Sequence, residues 1–247
     1  LGLCRSLHSW VTLSNQKLLG VGTNLKFYLE KGGLYYDITP ERTPSGVSLT
    51  DPFETVSGST TVTVTDANGG YIDGDFVTFS GASAVGGLTL NDEFQITYST
   101  GNTYTIEASS AATSSATGGG SVTAKYQINV GPEIEVPLVG WGAGAWNAGT
   151  WGNGEETSTD SLRLWSQSNF GEDLVFGPRG GAVYYWDASN ADGLNGRAVE
   201  LSTLSGASNT PTIQNFILVS DVSQFVFCFG ANTIGTSIQD PLLVRWS

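Results

Sequence analysis

The sequence predicts an all-β protein in which propeller-like blades, each an antiparallel meander, are interrupted by an inserted small β-barrel or sandwich domain. Three observations lead there. Short β-rich runs recur with glycines and aromatics at related places. Turn formers are abundant, with 33 Gly in 247 residues, and no stretch keeps the 3.6-residue apolar period of an amphipathic helix. The middle of the chain also differs in composition from its flanks. Three parts follow: residues 1–45 as the first propeller-like strands, 46–131 as the inserted β-domain, and 132–247 as the second set of propeller-like strands.

In the first part, "SWVTLS" (9–14), "KLLGVGT" (17–23), "LKFYLE" (25–30) and "LYYDIT" (34–39) read as consecutive strands. In "LKFYLE", Leu25, Phe27 and Leu29 alternate with Lys26, Tyr28 and Glu30. One face is therefore apolar and the other polar, the mark of a half-buried strand. Gly32-Gly33 supplies the positive φ of a tight hairpin. Pro40 stops pairing, because it has no N–H to give to a ladder.

The middle block contains "TVTVT", "DFVTFS", "EFQITYS", "TYTIEAS" and "VTAKYQI", five or six alternating strands in all. "SSAATSSATGGGS" (109–121) reads as an exposed loop. Residues 51–131 carry eight acids against Lys125 alone, a net charge of −7.

"GWGAGAWNAGTWGNG" (140–154) comes next, with Trp141, Trp146 and Trp151 at intervals of five. Three rings on a Gly-rich backbone suit sugar stacking. A five-residue period fits neither strand nor helix, so a loop anchored by its rings is preferred. The final part gives "SLRLWSQ" (161–167), "EDLVFGPRGGAVYYWDAS" (172–189), "NFILVSDVSQFVFCFGAN" (215–232) and "PLLVRWS" (241–247). Segments 18–40, 174–189 and 225–247 share one plan: an apolar strand ending in Gly, a turn or loop, then a strand with aromatics and a charge. Recurring meanders of this kind are the signature of propeller blades. A β-sandwich is the alternative architecture. Two or three such units do not close a ring, and a chain that opens on Leu1 and contains no Met reads as part of a longer one.

Charge narrows the function. Ten Lys and Arg against 23 Asp and Glu leave a net charge of −13, and between Arg42 and Arg163 the sole base is Lys125. Phosphate neutralisation needs basic side chains, so a surface that grips DNA is not expected. Cys4 and Cys228 are too few for a disulfide framework. Cys228, in "FVFCFG", reads as a small core hydrophobe, and spacing does not establish a pairing with Cys4. No secretory leader and no run of transmembrane length is seen.

Candidate chemistry is sparse. His8 is the single histidine, near the terminus and outside any nucleophile motif. "GASAVGG" (81–87) and "GPRGG" (177–181) lack the Lys-Ser/Thr ending of a phosphate loop. Asp66, Asn68, Asp73 and Asp75, or Asp187, Asn190, Asp192 and Asn195, offer hard oxygens suited to a cation. They are also the ordinary residues of tight turns, and the turn reading is preferred. A glycosidase pair needs two converging carboxylates, and nothing marks two acids out of 23. No catalytic, cofactor-binding or metal-binding residue is assigned, and no cofactor is expected.

The blocks "GTNLKFYLEKGGLYYDITPER", "GDFVTFSGA", "YTIEASSAATS", "LRLWSQSNFGEDLVFGPRGG", "GASNTPTIQNFILVSD" and "QDPLLVRWS" resemble, in this order, the tail tubular or nozzle proteins of short-tailed bacteriophages. The resemblance implies a virion structural protein of the phage tail, without catalysis. Copies of it would form a ring, usually a hexamer, around the channel for DNA ejection. It implies contacts with other tail or adaptor proteins and with tail fibres, DNA passing through without specific binding. The acidic composition suits such a lining. The insert and the Trp-rich loop are assigned to contacts with adjacent subunits or fibres. The competing readings are a glycan-binding receptor-recognition protein using Trp141, Trp146 and Trp151, and a glycan-degrading tail enzyme.

Overall fold

The computed structural model describes residues 2–67, 70–131 and 164–247. The protein is all-β, built from small antiparallel sheets, none of which closes into a barrel. It divides into two compact units. Unit 1 comprises Leu1–Ile38 and Val130–Ser247; unit 2 is Thr39–Asn129.

Unit 1 begins with a four-stranded meander of β1 (Cys4–Val11), β2 (Lys17–Thr23), β3 (Phe27–Lys31) and β4 (Leu34–Asp37). Its first strand was expected at 9–14. Instead β1 is already paired with β2 at Cys4, and residues 12–16 form the turn. The β2–β3 turn is fixed by Thr23, whose hydroxyl accepts from the Lys26 N–H at 2.9 Å. The β3–β4 turn is Gly32-Gly33, with φ of +62° and +87°. Two successive positive φ values define the type I′ turn, which matches the twist of the strands it joins. The expected hairpin is thus present, with Lys31 paired to Leu34.

Unit 2 contains β5 (Val47–Thr50), β6 (Phe53–Thr55), β7 (Thr61–Thr65), β8 (Phe76–Ser80), β9 (Glu93–Thr100), β10 (Thr103–Glu107), β11 (Ala116–Gly118) and β12 (Ser121–Tyr126). Eight strands replace the five or six expected. They form one sheet in the order β11-β6-β7-β10-β9-β8-β12-β5. The two edge strands, β5 and β11, each continue directly into a strand near the opposite edge. Their corners are tied together, with Asp51 N–H donating to the Gly120 carbonyl and Gly120 N–H to the Asp51 carboxylate, both at 2.8 Å. The sheet therefore curls around one core that includes Phe53, Val62, Phe79, Ile96, Ile106 and Val122. Alternation dictates this: in β7, Val62 and Val64 are fully buried between exposed or half-buried threonines. The chain enters and leaves the unit side by side. Arg42 N–H donates to the Tyr126 carbonyl at 2.8 Å and Ile128 N–H to the Pro40 carbonyl at 3.0 Å.

The rest of unit 1 supplies two further meanders. One is β13 (Trp165–Phe170), β14 (Asp173–Pro178), β15 (Tyr184–Trp186) and β16 (Val199–Glu200); the other is β17 (Phe216–Val219), β18 (Val226–Phe229) and β19 (Val244–Trp246). The three meanders stack through their first strands. β13 touches β1 and β2 on one side and β17 on the other. The Trp165 indole N–H donates to the Thr23 carbonyl at 2.7 Å. Phe27 and Phe176 stack with ring centres 4.0 Å apart. On the other side, Ser166 and Ser168 hydroxyls accept from the N–H groups of Ile217 and Val219 at 3.1 and 3.2 Å. The middle meander is covered on both faces, so Leu174 through Pro178 are all buried.

This stack explains the strand-ending glycines. A Cβ on Gly22 would lie 2.5 Å from the Trp165 ring, and one on Gly20 would collide with the Gln167 amide oxygen. Gly177 does the same job one meander on, facing the Ala182 carbonyl and Ile217. Glycine recurs at the second strand because the first strand of the next sheet passes there.

Candidate functional site

The acids singled out as cation ligands hold the fold locally. Asp66 ends β7 and is buried. Its carboxylate accepts from the Tyr126 hydroxyl at 2.6 Å, and Tyr126 bonds Tyr104 at 2.8 Å. Tyr71 donates to the Asp66 backbone carbonyl at 2.9 Å. Burial pushes all three tyrosines up from their ordinary range, and the Asp66 charge adds to it. Asp75 pairs with Arg42 and also accepts from the Ile72 N–H. Asp73 accepts from Ser99 on the surface. Asn68 lies outside the described residues.

In the second cluster, Asp187 caps its own turn by accepting from the Ser189 N–H and hydroxyl. Asn190 accepts from the Asp192 N–H, and Asn195 closes a single 3-10 turn. These are Asx-turn roles. Among the described residues, no three His, Cys, Asp or Glu side chains gather as a metal-binding group. Gly81, Gly86, Gly87 and Gly180 have positive φ, as turns demand. His8 sits inside β1, its Nε2 3.2 Å from the Asn169 side-chain oxygen and its ring stacked on Trp10. Cys4 is exposed, Cys228 is buried in the core, and both are free. Trp141, Trp146 and Trp151 lie outside the described residues.

Two other features were not legible in the sequence. The first is the pair of outer faces on the stack. On β17, Ile217 and Val219 point into the core, which leaves Phe216 and Leu218 52% and 45% exposed. Trp246 on β19 is 68% exposed, and on β1 Leu7 is 62% exposed. The second is a cavity of about 500 Å³ beside the β13–β16 and β17–β19 sheets, with Val175, Tyr185, Leu201, Val226, Cys228 and Arg245 in its wall. Arg245 stands opposite Cys228 in the β18–β19 ladder. Its guanidinium donates to the backbone carbonyls of Asn232, at 3.0 Å, and Asn209. Burial pushes the Cys228 thiol up to about 11, and the Arg245 charge pulls against it.

The architecture is thus a stack of blade-like meanders together with a curled β-unit. No family model matches the chain, and no curated protein matches it. Among solved structures, a phage phi92 endosialidase aligns over 98% of this chain and 44% of its own, at 15% identity and a TM-score of 0.30. This chain therefore spans less than half the length of that protein, and a score at that level assigns neither its fold nor its activity here.

Proposed function

We propose that the chain is a structural subunit of a bacteriophage tail, in the tube or nozzle ring that DNA crosses on ejection. The observation that carries the proposal is the stack of three meanders through their first strands, with Gly20, Gly22 and Gly177 clearing the way for each neighbour. That is how propeller blades pack. The ordered segments that resemble tail tubular proteins include the same strands. A net charge of −13 fits a conduit that must release its polymer, since every phosphate contact adds affinity. The role is one of assembly rather than catalysis, in the virion tail.

Leu7 on the first meander and Phe216 and Leu218 on the third leave apolar side chains on the outer faces of the stack, where neighbouring subunits would cover them. Negative-stain microscopy of the full-length protein tests the reading. Ring-shaped particles with a central channel are expected. Particles that stay monomeric at tens of micromolar (a range where specific interfaces of standard size persist) would sink it.

A further inference from the structure

We propose that the cavity beside the β13–β16 and β17–β19 sheets binds a small amphipathic anion, a monocarboxylate whose aliphatic body fills the apolar wall and whose carboxylate pairs with Arg245. The inference stands independently of the tail reading.

Size and lining set the class of ligand. A volume of about 500 Å³ lies within the range of small-molecule sites. The wall is mostly apolar, with Val175, Leu201, Val226 and Cys228; of its hydroxyls, Thr210 donates to the Ala207 carbonyl and Ser247 accepts from the Val226 N–H, which leaves Asn209 as a polar side chain beside Arg245. The Tyr185 hydroxyl is already committed to Asp173. Against the apolar stretch of wall a sugar would leave most of its hydroxyls unpaired, whereas an alkyl chain has none to lose.

Arg245 sets the charge. In a protein with 23 acids and ten bases, an arginine would ordinarily find a carboxylate. Among the described residues no carboxylate forms an ion pair with it. Its partners are two neutral carbonyls, which fix the guanidinium in place without cancelling its charge. The guanidinium carries five N–H donors, so donors remain for a carboxylate. Its charge reaches the cavity wall, since it acts on the Cys228 thiol across the ladder.

Calorimetric titration with octanoate and with 1-octanol tests this, using the full chain. Octanoate is expected to bind about tenfold tighter or better than octanol, the gain of a charge-assisted hydrogen bond. Arg245→Met should bind the two alike, and Arg245→Lys should recover part of the preference. A second readout does not depend on any change at Arg245. In a Cys4→Ser background, octanoate should slow alkylation of Cys228 about fivefold or more when the site is near saturation, as a ligand covering that wall must. Octanol binding as tightly as octanoate, or an unchanged alkylation rate under saturating octanoate, overturns the proposal.

Discussion

Unit 1 and unit 2 solve the same problem in opposite ways. Unit 2 curls one eight-stranded sheet around a single core, and alternation along each strand decides what is buried. Its exposed large apolar side chains, among the described residues, are Val56, Ile72 and Tyr98. Unit 1 stacks three meanders, so an apolar face is buried only where another sheet lies beside it. It exposes many more, including Leu7, Val11, Phe216, Leu218, Val244 and Trp246. A curled sheet satisfies itself, whereas a stack always has two outer faces. The difference teaches where interaction surfaces arise: at the ends of a stack, where no further sheet lies.

The sharpest way to break the comparison is to empty each core in turn. Phe27→Ala removes a ring packed on Phe176 and Trp165, and Phe53→Ala removes one packed on Phe79. Each should cost about 3–5 kcal/mol. Hydrogen exchange read unit by unit should show deprotection of unit 1 in the first variant and of unit 2 in the second. Equal deprotection of both units by either variant would mean that the two cores are not separate.

Next in size is Gly22→Val. Its side chain would enter the Trp165 ring, and overpacking of this kind costs about 1–3 kcal/mol or more. The equivalent change at Gly58, where a Cβ meets nothing, tests the strain of positive φ alone. A fall in urea midpoint no larger for Gly22→Val than for Gly58→Val would reject the close-approach explanation.

Alkaline pH should separate the units in the same order as their buried phenols. Tyr71, Tyr104 and Tyr126 keep their protons in the folded state, whereas the unfolded chain gives them up above pH 10. Their contribution is intact below that pH and is lost as pH rises beyond it. In unit 1 one phenol, Tyr185, is held up by burial and by its bond to Asp173 and adds a loss above pH 10, while the Cys228 thiol, pushed from 9 to about 11, gives a smaller one that begins about one unit earlier. Tyr126→Phe should flatten the unit 2 loss, and at neutral pH it should cost about 1–3 kcal/mol by removing the buried hydroxyl that bonds both Asp66 and Tyr104. Urea midpoints from pH 8 to 11 provide the check. The smallest expected effect is Lys125→Met. Its ion pair with Glu41 spans 3.3 Å at a partly exposed site and is worth at most about 1 kcal/mol.

Much of this architecture was legible in the residues, and the reasons for the gaps are physical. β3, β7, β8, β10 and β12 announce themselves by alternation, and Gly32-Gly33 names its own turn. β6 and β11 are three residues each, too short for any period to register. The Gly repeat was visible, but its cause was not, because Trp165 lies more than 140 residues from the Gly22 it crowds. The cavity was hidden for the same reason: its wall draws on strands from β13 to β19. Arg245, in "VRW", looks like the outward charge of an ordinary strand; only the ladder sets it opposite Cys228. Asp66 and Asp75 matched a cation pattern because oxygen-rich turns and oxygen-rich ligand sets use the same residues.

The adjacent ends of unit 2 have a consequence for how this protein could change over time. Because Pro40 and Ile128 are bonded to each other, the 91 residues of Thr39–Asn129 hang from a closed neck. Sequence within the neck is therefore free to drift, lengthen or be exchanged for another cassette, provided that the new piece also brings its two termini together. A gene could replace this module wholesale, by recombination at two points, without altering a single strand of the stack.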